Sequence, residues 1–382
     1  MNNVEFTKKY YVNRKNTDSI KWDNKEVKSK LPMFIADTDF KVNDEIIKAL
    51  ENKIKFGSYG YSVLPKDYYE TVIKWNKSQN DITFKKEWIR FSCGAIDGIY
   101  QLIFTFTKIN DSILITNPVY HPFANTIKTT KRNLVKSPLK VINDKYTFDL
   151  IDIEKKIIRN NVKMMILCSP HNPLGRVWNK KELEGLFKIT HKHKVLVISD
   201  EVHSDLIMPG AKFIPSLSIK NTQNDIITLT AASKTFSFAL FQHCHVVIPN
   251  KNLRDKFDEY QQTHHLNNVN VNNAYPTYYG YKYGKKWLSS FISVIYENYN
   301  YLYSRLSKYV DILPLEGTYL AFVNFKKYTK NAYKFLYEKC NIVPNAGELF
   351  DENYPTWARI NLATSLDNVK LACNRIEKQL KK

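Results

Sequence analysis

The chain predicts an α/β fold: a large domain built on a mostly parallel sheet with helices on both faces, joined to a smaller α+β domain. Three observations predict it. Short apolar runs rich in β-branched residues recur through the middle of the chain, namely "EWIRFSC", "DSILITN", "VKMMILCS", "KVLVISD", "DIITLTA" and "HCHVVIPN". Segments with apolar residues at helical spacing separate them, such as "IDGIYQLIFTFT" and "KKELEGLFKITHKH". After about residue 280 the texture changes to one long amphipathic stretch and mixed short elements.

Each element follows from its pattern. The segment up to about residue 40 has no sheet of its own and is expected to pack with the chain's far end. The six runs are short and buried in character, and their alternation with helices implies parallel strands covered on both faces. "KKWLSSFISVIYENYNYLYSRLSKYV" predicts a long helix. "LEGTYLAFVNF" predicts a strand, a helix follows, and "WARINLA" precedes a final helix. The expected division is 41–278 for the large domain and 1–40 with 279–382 for the small one.

The 382 residues suffice for one large or two ordinary domains, and 43% hydrophobic with 14% aromatic residues excludes disorder. The five cysteines, Cys93, Cys168, Cys244, Cys340 and Cys373, are scattered, odd in number and without metal-like spacing. Reduced thiols in a cytoplasmic protein fit that usage. The start "MNNVEFTKKYYVNRKN" lacks a secretory pattern, and no apolar run approaches the roughly 20 residues that span a bilayer. No membrane association is expected. Lys+Arg 57 against Asp+Glu 37 leaves +20. The lysines are spread along the chain and no nucleic-acid motif accompanies them, so no nucleic-acid partner is expected.

Chemistry collects where ligands bind in open parallel sheets, at the carboxyl ends of the strands. Five ends carry "CGAIDG", "PVYHPF", "PHNPLG", "DEVHSD" and "AASKTF". Together they offer a small-residue turn, a tyrosine, an asparagine, an aspartate and a lysine. That set suits pyridoxal 5′-phosphate (PLP). Lys234 is the candidate to hold its aldehyde as a Schiff base. Asp200 is placed to keep the pyridine nitrogen protonated. Asn172 can donate to the ring oxygen, and Tyr120 can stack on the ring. Gly94, Ala95 and Ile96 precede or open a helix whose free N–H groups suit the phosphate, with Ser233 adding a hydroxyl. Any one of these alone could be a surface lysine, a turn or a helix cap; their joint order carries the inference.

The chain also resembles a known family. "FIADTDF", "YGYS", "CSPHNPLGRVW", "ISDEVHSDL", "ASKTF", "LEGTYLAF" and "RINLAT" resemble fold-type I PLP enzymes of the class I/II aminotransferase superfamily. Within it, "ADTDF" and "DEVHSDL" resemble the cystathionine β-lyase-like, carbon–sulfur lyase branch. The resemblance runs from Ile20 to the last helix. It implies a seven-stranded-type sheet, a small domain made from both termini, and a homodimer with active sites at the subunit interface. Lys234, Asp200, Asn172 and Tyr120 match the family positions with the roles above. His203 matches a position beside the cofactor. Tyr61 matches a tyrosine that reaches across the dimer to the neighbouring phosphate. Arg359 matches the arginine that grips the substrate α-carboxylate, a pairing a guanidinium makes bidentately and lysine does not.

The chain departs from the family after the lysine. "SFALF" stands where an asparagine and then "AGL" are usual, with Leu240 and Phe241 in place of a glycine and a smaller apolar residue. Phe238 and Phe241 are either core residues or apolar bulk facing a substituent on the substrate. The implied reaction is β-elimination: Lys234 removes the Cα proton of an S-substituted cysteine, L-cystathionine or another S-conjugate, and a thiol, pyruvate and ammonia result. An aminotransferase would use the same lysine, aspartate and arginine. A non-catalytic regulatory or binding protein on the same fold is the remaining alternative.

Overall fold

The computed structural model describes residues 1–27, 29–142 and 145–382. Seven strands form the large sheet: β1 (Ile89–Ser92), β2 (Ser112–Asn117), β3 (Asn133–Pro138), β4 (Val162–Cys168), β5 (Leu196–Asp200), β6 (Ile226–Thr230) and β7 (Cys244–Val247). Their spatial order is β1-β7-β6-β5-β4-β2-β3. β3, β2, β4, β5 and β6 run parallel, whereas β7 pairs antiparallel with both β6 and β1.

All six apolar runs are strands. The seventh, β3, was not legible as one. It is an edge strand, and only Val135 and Ser137 of "NLVKSP" are buried. An edge strand buries one face at most, so it lacks the continuous apolar run of the central strands.

The central strands bury both faces, and their side chains divide by the two-residue period. Ile113 and Ile115 of β2, with Met164 and Ile166 of β4, pack under the helices Ala95–Phe106, Pro122–Thr129 and Lys251–Thr263. Leu114, Met165 and Leu167 point the other way, into the cluster that holds Ile153 and Ile157 of helix Leu150–Arg159 and Leu183 and Leu186 of helix Lys180–Lys192.

A second, antiparallel sheet is ordered Asp311–Ile312, Leu320–Asn324, Trp357–Asn361 and Asn345–Ala346. The N-terminal segment joins it: Leu31–Pro32 pairs in parallel with Ile342–Val343, and Asn361 N–H donates to the Met33 carbonyl. Helix Asn3–Tyr10 and helix Leu366–Leu380 both pack on the long helix Lys285–Leu306. The boundary expected at 278/279 falls inside the continuous helix Val271–Tyr283, which the single residue Gly284 separates from the helix Lys285–Leu306.

Candidate active site

A cavity of about 330 Å³ opens at the carboxyl ends of β4, β5 and β6, beside the turn after β1. Small-ligand sites occupy roughly 300–1,000 Å³. Eight of the expected residues line it: Ala95, Ile96, Tyr120, Asn172, Asp200, His203, Ser233 and Lys234, together with Gly94. They come from five separate loops, which the parallel topology delivers to one edge of the sheet.

Lys234 lies just past β6, and its Nζ donates to the Ala36 carbonyl at 2.9 Å. Burial lowers its pKa, the nearby Arg359 lowers it further, and Asp37 and Asp200 oppose the shift. Asp200 ends β5 with 5% exposure. Among the described residues its carboxylate accepts one hydrogen bond, from Val202 N–H at 3.2 Å. Burial pushes its pKa up to about 6 against the effects of that bond and of Lys234. A cationic group set against this carboxylate would hold it ionised. His203 is buried with Nδ1 unpartnered, and burial brings its pKa down to about 3, so the ring is neutral. Burial raises the Tyr120 phenol above its usual pKa.

Arg359 stands on the strand Trp357–Asn361 of the small sheet and is 4% exposed. Its Nη1 donates to Asn172 Oδ1 at 2.8 Å and its Nη2 to Asn345 Oδ1 at 2.6 Å. Its Nε is buried without a partner. Among the described residues no carboxylate pairs with it; the Phe350 ring lies 4.9 Å from the guanidinium carbon. Burial lowers its pKa to about 10, so it stays cationic at neutral pH. Because Asn172 spends its carbonyl oxygen on Arg359, its amide N–H₂ is left as the donor.

The N-terminal segment closes over this group. Asn361 Nδ2 donates to the carbonyls of Ile35 and Asp37, and Ile35 N–H donates to Asn345 Oδ1. The strand carrying Arg359 therefore also holds "ADTDF" against Lys234. Sequence reasoning took "ADTDF" as a family mark and missed this contact, which runs through a backbone carbonyl.

Other lining residues were also missed: Cys93, Asp97, Val202, Ala239, Gln242 and His243. Tyr61 lies apart. Within one chain its side chain is fully exposed, in a wider opening lined by Tyr59, Tyr275 and Tyr279. Phe238 and Phe241 do not line the cavity. Phe238 is buried against Phe236 and Phe241, and Leu240 points to solvent. Of the two alternatives for these rings, core residue rather than apolar bulk facing the substrate is the one found: Ser237, at φ +59°, turns the chain so that Ala239, Gln242 and His243 form the wall.

The family model for aminotransferase class I and II matches residues 35–376. The chain belongs to this family. Cystathionine beta-lyase PatB of Bacillus subtilis is 30% identical over 379 residues, covering 96% of this chain and 98% of PatB. Cystalysin from Treponema denticola, a structure containing pyridoxal 5′-phosphate, superposes with a TM-score of 0.91 at 32% identity, over 97% of each chain. A PLP-bound candidate aminotransferase from Clostridium difficile 630 superposes at 0.92 with 36% identity, over 97% of this chain and 98% of its own. The architecture of this aminotransferase-family chain is thus that of fold-type I enzymes across nearly its whole length. Among the described residues no helix is long and apolar enough to cross a membrane, and no His/Cys/Asp/Glu cluster could hold a metal.

Proposed function

We propose that the chain is a PLP-dependent carbon–sulfur β-lyase acting on S-substituted L-cysteines. The observation that carries the amino-acid part of the reading is Arg359: a buried guanidinium with two neutral amide partners and, among the described residues, no carboxylate, beside the cavity that Lys234 and Asp200 line. It presents a carboxylate-binding fork next to an amine of lowered pKa. An aminotransferase would share this arrangement, and the choice of lyase is supported by the lyase names that PatB and other relatives carry.

The residues present fit PLP. Among the described residues, Asp200 supplies a buried carboxylate without an ionic partner for a ring cation, Asn172 a free amide donor, and the Gly94–Ile96 turn a set of unbonded N–H groups. PLP, when bound, supplies the aldehyde that engages the amine and the ring that accepts electrons released at Cα. Arg359 grips the substrate carboxylate and fixes which bond at Cα faces Lys234. Lys234, with its pKa lowered by burial, takes the Cα proton as general base. The Cβ–S bond then breaks, the thiol leaves, and one water is consumed in forming pyruvate and ammonia.

A second copy of the chain completes the site in this proposal. Phe56, Tyr59, Tyr61 and Val63 are all exposed on one short segment, an apolar surface that a partner would cover. Tyr61 would then reach the partner's cofactor phosphate. With five free cysteines, the protein works in the reducing cytoplasm.

The test is incubation of purified protein with S-alkyl cysteines and no oxo-acid acceptor. Stoichiometric thiol, pyruvate and ammonia are expected, all abolished in Lys234→Ala. Turnover that starts only after an oxo acid is added would make the chain an aminotransferase. Absence of both activities and of a yellow chromophore would leave a binding protein on the same fold. Size-exclusion chromatography should give twice the chain mass.

A further inference from the structure

His243 lines the cavity beside Gly94, Ala95 and Ile96. Its position follows from register. Cys244 pairs with Ser92, so the residue before β7 stands opposite the turn where β1 gives way to Gly94. His243 is 5% exposed. Its Nε2 lies 2.7 Å from the Tyr68 hydroxyl, which also meets Nε2 of His245 at 2.8 Å. His245 Nδ1 is buried with no partner. With Nε2 of His243 engaged, Nδ1 is the ring atom left for a ligand.

The protons of this trio can be placed by counting. A tyrosine hydroxyl has one proton, so it donates to one imidazole and accepts from the other. If it donated to His245, that ring would carry its proton on Nδ1, where no acceptor exists. A buried N–H without an acceptor is the rarer and costlier orphan; a bare lone pair is tolerated better. His245 therefore donates from Nε2 to Tyr68, and Tyr68 donates to Nε2 of His243. His243 then carries its proton on Nδ1. Burial holds both rings neutral, bringing His243 down to about 4 and His245 well below the usual range.

We propose that the Nδ1–H of His243 donates a hydrogen bond to the phosphate of the bound cofactor, and that Tyr68 and His245 are positioning residues that lock its tautomer. This rests on the PLP reading above. The neighbours support it. Helix Ala95–Phe106 starts here, and its first intrahelical donor is Gly98, so the N–H groups of Ala95, Ile96 and Asp97 are free. Lys234 is the cavity's one cationic side chain among the described residues, and it sits at the aldehyde end. The Asp97 carboxylate is turned back onto Cys93 N–H and Gln101. Within one chain, an anion at this end meets backbone N–H groups, Ser233 and His243, none of them charged.

The test compares PLP with pyridoxal, which lacks the phosphate. Protein saturated with either is diluted, and loss of the bound chromophore gives each dissociation constant. His243→Ala is expected to weaken PLP about 10- to 100-fold and pyridoxal by less than about twofold. Tyr68→Phe keeps the ring in the core but removes the lock, so a smaller loss specific to PLP is expected. His243→Asn sets an amide N–H near the Nδ1 position without needing the hydroxyl. It should recover most of the PLP affinity, and adding Tyr68→Phe to it should cost nothing further. Equal weakening of PLP and pyridoxal by His243→Ala, or no weakening of PLP, would overturn the assignment. Wild-type protein that holds neither aldehyde would overturn the cofactor reading itself, and this one with it.

Discussion

Replacing Arg359 tests the site most directly. Its guanidinium has five N–H donors; Asn172 and Asn345 take one each, and Nε–H is unpaired. Three donors remain, enough for two parallel bonds to a carboxylate. A hydrogen bond to a charged group contributes about 1.5–3 kcal/mol, and each 1.4 kcal/mol is about tenfold. Arg359→Lys keeps the charge and loses one bond, so kcat/KM should fall about 10- to 100-fold. Arg359→Met loses both and should cost about 10²- to 10⁴-fold. The assay is thiol release from an S-alkyl cysteine and, in parallel, from its α-carboxamide. Wild type should strongly prefer the acid, and Arg359→Met should lose that preference. Thermal stability should not suffer in Arg359→Met, because a buried cation without a counter-charge is removed. A variant that melts lower and loses acid and amide activity equally would refute the reasoning, since Arg359 would then be structural.

Other variants probe the groups around it. Glu201, adjacent to Asp200 and bonded to Ser199 Oγ and Ser216 N–H, has its pKa pushed by burial up to about 7. Because the folded value lies above the unfolded one, this carboxyl's contribution is complete below about pH 4.5 and is lost as pH rises through about 7. Glu201→Gln should therefore melt higher than wild type at pH 8, with the difference vanishing near pH 4.5; a constant difference across that range would argue against the shift. In the proposed reading Asp200 is the anion set against the cofactor's ring cation, so Asp200→Asn should lower kcat by about 10²- to 10³-fold with little change in melting temperature. Gly94 sits at φ +90°, and a Cβ added there would meet no atom within 4 Å, so Gly94→Ala meets backbone strain alone. It should lose about 1–3 kcal/mol in denaturant melts and hold PLP more weakly. An unchanged melt would mean that the turn relaxes.

What the sequence made legible follows from where each residue packs. Five of the six runs could be read because strands buried on both faces are continuously apolar; β1, at one edge of the sheet, could be read from the apolar and aromatic residues of "WIRF", whereas β3, at the other edge with one face open, carries no such run. The strand-end rule found Tyr120, Asn172, Asp200 and Lys234 because parallel strands all deliver their carboxyl ends to one edge. The same rule missed Gln242 and His243 for a physical reason. β7 runs antiparallel, so its amino end opens onto the site, and the informative residues precede the strand. Ala36 was missed because it contributes a carbonyl, which any residue has. Phe238 and Phe241 are the core residues that one of the two sequence readings made them: closeness along the chain to Lys234 is not closeness in space, and a left-handed residue at Ser237 with a short helical turn at Ala239–Phe241 sends both rings away from the cavity. Arg359, far from the lysine in sequence, came only from resemblance, since nothing local separates a buried arginine from an exposed one.

The buried charges explain why the site survives folding unneutralised. Asp200 and Arg359 are both buried, and neither pairs with the other or with a second side-chain charge among the described residues. Each is instead held by neutral dipoles: Val202 N–H for the carboxylate, Asn172 and Asn345 carbonyls for the guanidinium. Had the two met, each would satisfy the other and no ligand could compete for them. Their separate supports keep one free anion and one free cation on different elements, β5 and the small sheet, around Lys234. A molecule carrying a cationic ring at one end and a carboxylate at the other relieves both at once. Binding cofactor and amino acid together should therefore stabilise the protein more than either substitution, Asp200→Asn or Arg359→Met, leaves possible. The double variant should show no further thermal shift on adding an unreactive amino acid to the PLP-loaded protein.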